Sequence, residues 1–186
     1  MISITVKGKI EQLARAVGTD GPKKFRRETA TAINATARKT INMLSKEIGK
    51  ELATPQKAIK TTIKVASKAS QNKLGATVRQ RPTSRLSLKE FSARQTKKGV
   101  SYRVSKSQGR KTLAGAFIVD KIGGHAFKRK TKSRLPIVKL QGPSPWGVTV
   151  KNKLDQLVAK RDVEPELIKQ VERRIRAINY KRSQGR

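Results

Sequence analysis

The stretch "RLPIVKLQGPSPWGVTV", residues 134–150, decides the fold, because the hydrophobic pattern changes its period inside it. It holds the only tryptophan and three of the seven prolines, and it is charged only at Arg134 and Lys139. "PIVKL" (136–140) reads as a last strand. Pro143 and Pro145 restrict both themselves and the residues before them, Gly142 and Ser144, so a rigid turn follows. Helical sequence begins beyond it. Trp146 can bury a large area where strand meets helix. Two tasks stay open for Pro143, Pro145 and Trp146: a hinge of the core, or an anchor packing one subunit on the next.

Working outward, period two prevails on the N-terminal side, between about 72 and 145. Leu74, Ala76 and Val78 alternate with Thr77, Arg79 and Arg81, and Val100, Tyr102 and Val104 alternate likewise. "AFIVDKI" (116–122) is a further strand, and "SKSQGRK" (105–111) an exposed, flexible loop. On the C-terminal side, "GVTVKNKLDQLVAK" (147–160) and "PELIKQVERRIRAINYKR" (165–182) are helical, the second with Leu167, Val171, Ile175 and Ile178 on one stripe.

Near the N-terminus the pattern predicts a strand at 2–6, a short helix at 9–17 and a turn at 18–22. A long helix then runs from about 22 to 52, with Pro22 in its first turn and a stripe of Phe25, Ile33, Ala37, Ile41, Leu44, Ile48 and Leu52. Thr54 and Pro55 would start another short helix as N-cap and first helical residue. The expected fold is α+β: N-terminal helices including one long helix, a central mostly antiparallel β-sheet, and basic C-terminal helices. We expect a single domain over 1–186, with a strand and helices in 1–65, a β-rich region in 72–145 and C-terminal helices in 147–182.

Lys plus Arg number 45 against 12 Asp plus Glu, a formal net charge of +33. Such a charge opposes compaction and self-association, so a polyanion or acidic protein neighbours are expected around it. The basic residues spread evenly over the chain, which excludes a detachable basic tail. Acids are sparsest between 51 and 150, where only Glu51, Glu90 and Asp120 occur. The absence of cysteine excludes disulfides and thiolate chemistry. No apolar stretch approaches the length of a membrane span, and no membrane partner is expected.

Catalytic chemistry has few candidates. His125 is the only histidine, and with no cysteine it builds neither a histidine-based metal site nor a usual nucleophilic triad. The densest acidic set, Asp162, Glu164 and Glu166, falls at a helix start, where carboxylates complement the helix dipole. "GRKT" (109–112) lacks the glycine spacing of a phosphate loop. No catalytic residue, metal ligand or cofactor is therefore assigned, and the chain is read as a non-enzyme. Two basic clusters remain: Lys128, Arg129, Lys130, Lys132 and Arg134 in "FKRKTKSR" (127–134), and Arg173, Arg174 and Arg176 in the last helix. They are assigned to contact DNA or an acidic partner. The seven aromatics are scattered, which disfavours base stacking, and no readout motif is present. Any nucleic-acid contact would be to phosphates.

"GAFIV" (115–119), "HAFKRK" (125–130) and "RLPIVKLQGPS" (134–144), followed by a basic helix, resemble the minor tail protein Z family of long-tailed bacteriophages, also called tail completion proteins. The resemblance implies a virion structural protein at the head-proximal end of the tail, made in the host cytoplasm and working in the neck where head and tail join. It also implies a homo-oligomeric ring, a hexamer, whose partners are the tail terminator, tail tube and neck proteins, with DNA in its channel or acidic rings above and below. Composition by itself favours a competing function, a nonspecific DNA- or RNA-binding protein of nucleoid or ribosomal type. A nuclease is a poor third, for want of a carboxylate cluster.

Overall fold

The computed structural model describes residues 22–184. The strand expected at 2–6, the helix expected at 9–17 and all but the last residue of the turn expected at 18–22 lie outside them. The fold is mixed α+β with every strand pair antiparallel, as the sequence predicts, but the strands are distributed over three sheets. The described residues fall into two compact units, one of 22–44, 63–80 and 155–184, the other of 45–62 and 81–154.

In the first unit, helix α1 (Pro22–Glu51) supplies residues up to Leu44. Its stripe is buried at Ile33, Ala37 and Leu44, each large apolar side chain contributing about 1.5–3 kcal/mol relative to exposure. Thr36 and Thr40 are also buried, and their hydroxyls donate to the carbonyls of Ala32 and Thr36 at 3.0 and 2.9 Å, so the helix absorbs them without an unmet polar group. Strands β1 (Ile63–Ser67) and β2 (Thr77–Gln80) form a hairpin sheet with an irregularity between Val65 and Ser67. Asn34 clamps its connection: the amide donates to the Ala69 carbonyl at 2.9 Å and accepts from the Ala69 N–H at 2.8 Å. This unit also contains most of α4 (Leu154–Val158), a π-helical turn (Ala159–Val163) and α5 (Glu164–Ser183), which buries Leu167 and Val171. Ion pairs between Lys39 and Glu166, and between Arg174 and Glu28 at 3.1 Å, tie α5 to α1.

The second unit begins with the last turns of α1, where Ile48 is buried, followed by buried Leu52 and by α2 (Gln56–Thr61), anchored by Ile59. The expected cap is corrected here. Pro55, not Thr54, is the N-cap of α2, and its carbonyl receives the N–H groups of Ala58 and Ile59. A 3₁₀ turn (Leu88–Phe91) leads into β3 (Arg94–Thr96), β4 (Gly99–Tyr102) and β5 (Lys111–Ala114), a sheet with β4 in the middle. Gly99 sits at φ 139°, and a Cβ there would lie 2.0 Å from the Leu113 carbonyl oxygen, so only glycine lets β5 approach. The second sheet orders β6 (Ala116–Val119), β7 (His125–Arg129) and β8 (Ile137–Lys139). Leu88, Val100, Ala116 and Ala126 form the core, with Leu113, Ile118 and Leu140 packed against them.

The opening segment closes this unit. The Leu135–Pro136 peptide is cis. After β8, the Leu140 carbonyl accepts from Leu88 N–H at 3.1 Å, and Gly142 N–H donates to the Leu86 carbonyl at 2.7 Å. Gly142 is buried against the Phe91 ring. Ser144 then caps α3 (Pro145–Lys151), its hydroxyl accepting from Trp146 N–H at 3.3 Å, with Pro145 at the first helical position. The helix expected as one piece over 147–160 is broken: Lys153 takes a left-handed φ of 47° between α3 and α4.

Candidate functional site

The first basic cluster is a hairpin. Register pairs Phe127 with Lys139, Lys128 with Val138 and Arg129 with Ile137 across β7 and β8. Because side chains alternate along a strand, Phe127, Arg129, Ile137 and Lys139 share one face, and Lys128 and Val138 the other. Both faces begin in packed structure and end in charge. On one, Ala126 and Leu140 belong to the core while Lys128 and Val138 extend beyond it. On the other, buried Phe127 is followed by Arg129, whose guanidinium lies over the Phe117 ring at 5.1 Å. This cation–π contact orients the charge without neutralising it.

Lys130, Lys132 and Arg134 stand exposed in the connection, beside Leu135, which is 66% exposed. No Asp or Glu occurs between Asp120 and Asp155. None of the five cations that sequence reasoning singles out here is in an ion pair among the described residues. Lys139, on the same face as Arg129, is not among those five, although the alternation in "PIVKL" places it there.

The second basic cluster is differently balanced. On α5, Arg174 is paired with Glu28 and Arg176 with Glu172 at 3.7 Å, leaving Arg173 exposed. The two clusters lie in different units. A third cationic feature escapes the sequence reading: Lys64 and Arg79 face each other across β1 and β2, both exposed. Like charges directly opposite are destabilising. By contrast, Arg103 and Arg110 serve the fold. Arg103 donates to the carbonyls of Ser105, Lys106 and Gln108, and Arg110 to those of Ser92 and Ser101. They fasten the loop before β5, exposed over residues 106–110.

At the junction, Pro145 is buried, Trp146 half-buried and Pro143 exposed. His125 Nδ1 and the Ser87 hydroxyl are 2.9 Å apart. Partial burial, then the charges of Lys139 and Lys89, hold the imidazole below its usual 6.5, with Glu90 opposing. The acidic trio is likewise engaged: Asp162 with Arg161 at 2.7 Å, Glu166 with Lys39, and Glu164 in the first turn of α5. Among the described residues no group of three or more His, Cys, Asp or Glu is arranged to hold a metal, and no helix is long and apolar enough to cross a membrane.

What this arrangement offers is cationic surface on a rigid β frame. No curated protein and no solved structure matches the chain. A family model, that of prophage minor tail protein Z, matches residues 21–181. That span includes both sheets of the second unit, the α5 arginines and the proline junction, so the chain belongs to the prophage minor tail protein Z family and is a structural component of the phage virion.

Proposed function

We propose that this minor tail protein completes the head-proximal end of the tail, as one subunit of a homo-oligomeric neck ring through which head and tail are joined. The observation that carries the reading is the cationic β7–β8 hairpin, free of carboxylates on a chain of net charge +33. A tail component with this much positive charge needs a polyanion or acidic neighbours within about 10 Å, the range over which salt leaves charges unscreened at 0.1 M. The junction with a DNA-filled head supplies both. Copies that each bring +33 close into a ring, a hexamer in this reading, only where such neutralisation exists.

Pro143, Pro145 and Trp146 then set the direction in which α3 leaves the sheet, and the exposed part of the indole packs against the next subunit. The tail terminator, tail tube and neck proteins are the protein partners. The test is a phage lacking the gene. Neither head filling nor tail polymerisation needs the joint, so lysates are expected to contain DNA-filled heads and tails of normal length but few infectious particles. Empty heads, missing tails or full infectivity in electron micrographs and plaque counts would overturn the assignment.

A further inference from the structure

The two basic surfaces are unequal in a way that assigns one of them a ligand. We propose that the β7–β8 hairpin is the duplex DNA contact of this protein, a cationic ribbon gripping phosphates on both of its faces, and that the α5 arginines are not part of that contact. The proposal deepens the neck-ring reading and rests on it only for where the DNA comes from.

Three observations carry it. The first is charge that nothing offsets. Residues 125–139 hold Lys128, Arg129, Lys130, Lys132, Arg134 and Lys139 and no acid, and none of the six is ion-paired among the described residues. On α5, Glu28 and Glu172 already hold Arg174 and Arg176. The second is geometry. Strand alternation sends Arg129 and Lys139 to one face of the ribbon and Lys128 to the other, while Lys130, Lys132 and Arg134 occupy the connection. A flat acidic protein surface meets one face of such a ribbon and leaves the other unpaired. β6 pairs with β7 only as far as Lys128, so beyond it Arg129, Ile137 and their connection project as two strands. A duplex groove has phosphates along both walls, and a major groove about 12 Å wide admits a two-stranded ribbon.

The third is preorganisation. Arg129 is held over Phe117, and Ala126 and Leu140 root the ribbon in the core, so the charges are carried on a frame that is ordered before binding. The ribbon has no Asn or Gln to read adenine, and Lys and Arg bound to phosphate carry no sequence information.

The experiment measures affinity of the full chain for two unrelated duplexes over a range of salt, with polyglutamate as the acidic-protein probe. The wild type is expected to bind both duplexes alike, log affinity falling linearly with log salt. Replacing Lys128, Lys130 and Lys132 together by Gln should reduce the magnitude of that slope by about 2–3, at roughly 0.9 for each phosphate left without its cation. Replacing the same three by Arg should restore it. Arg173→Gln with Arg176→Gln should change the slope by less than about 1.

Unchanged binding by the hairpin variant, or a larger loss from the α5 variant, would overturn the assignment of the contact. Binding of polyglutamate but of neither duplex would overturn DNA as the ligand in favour of an acidic protein. The neck-ring reading would survive any of these results, since the micrographs of the deletion phage judge it separately. Unchanged melting, followed by far-ultraviolet circular dichroism, serves as the fold control for each variant.

Discussion

Gly142→Ala puts the opening segment under direct test. An ideal Cβ at residue 142 would lie 2.2 Å from Cε2, 2.5 Å from Cδ2 and 3.0 Å from Cζ of Phe91. Ordinary contact begins near 3.4 Å, so either the ring or the 140–142 backbone must move. Neither moves freely. Phe91 is fully buried, and its carbonyl accepts from Arg103 N–H at 3.0 Å. The backbone on the other side is held by the Leu88–Leu140 and Gly142–Leu86 hydrogen bonds.

Overpacking of this kind costs about 1–3 kcal/mol, and with both sides fixed the upper part of that range, about 2–3, is expected. At about 2–4 °C per kcal/mol for a chain of this size, the melting point should fall by roughly 4–12 °C. Gly147→Ala is the control. Its Cβ would meet nothing within 4 Å, and it stands inside α3, where alanine is favoured over glycine by up to about 1 kcal/mol. Trp146, the only tryptophan, reports unfolding of this unit by fluorescence. Combining Gly142→Ala with Phe91→Leu should recover part of the loss, because the shortened side chain vacates the clash. A Gly142→Ala protein that melts with the wild type, or losses at the two sites that simply add, would refute the packing argument.

Two further outcomes follow from single side chains. Trp146→Ala should cost about 2 kcal/mol in chemical denaturation, below the roughly 3–5 of a fully buried aromatic because the indole is only half covered. The same variant should be lost from particles beyond what that destabilisation explains, and normal incorporation would assign the indole to the fold alone. Hydrogen bonds from Lys39 and Gln170 hold the Glu166 carboxyl below its usual 4.5, against the opposing effect of burial. The unfolded chain thus takes up that proton first as pH falls, so the stabilisation is complete above about 4.5 and disappears as pH drops through the folded value. The melting gap between wild type and Glu166→Gln should be present at neutral pH and close in acid; a gap independent of pH would show that the ion pair is not its source.

The elements legible in the sequence are those whose pattern coincides with burial. The α1 stripe appears as a period because Ile33, Ala37, Leu44 and Ile48 are all covered, and the α5 stripe because Leu167 and Val171 are. Strand β1 is not legible, and neither are β3 and β5. Every residue of β3 is exposed, and β5 covers only Leu113 in part, so neither carries an apolar alternation to read. Their pairing is dictated from across the sheet, by β4 and by the close approach at Gly99. The break at Lys153 has no glycine or proline to announce it. Both basic clusters are visible as charge runs, but their inequality is not. Glu28 neutralises Arg174 from 146 positions away, and charge counted along a chain does not contain that distance.

The contrast that marks residues 134–150 has a mechanical origin. One β7–β8 hairpin serves two environments, and the register divides them. At the Ala126–Leu140 end, the strands meet the core, Gly142 passes against Phe91, and Pro145 and Thr149 are buried as α3 begins. A charge placed there would lose its hydration with no partner to replace it. At the Lys128–Arg134 end the strands have left the core, so every position is open to solvent and a cation costs the fold little. The apolar segment is therefore the root of a lever and the basic run its tip. Substitutions at Gly142 should act on stability and those at Lys128, Lys130 and Lys132 on binding. A hairpin whose charge is free to change without unfolding its base is suited to holding a polyanion in a particle that must also keep its shape.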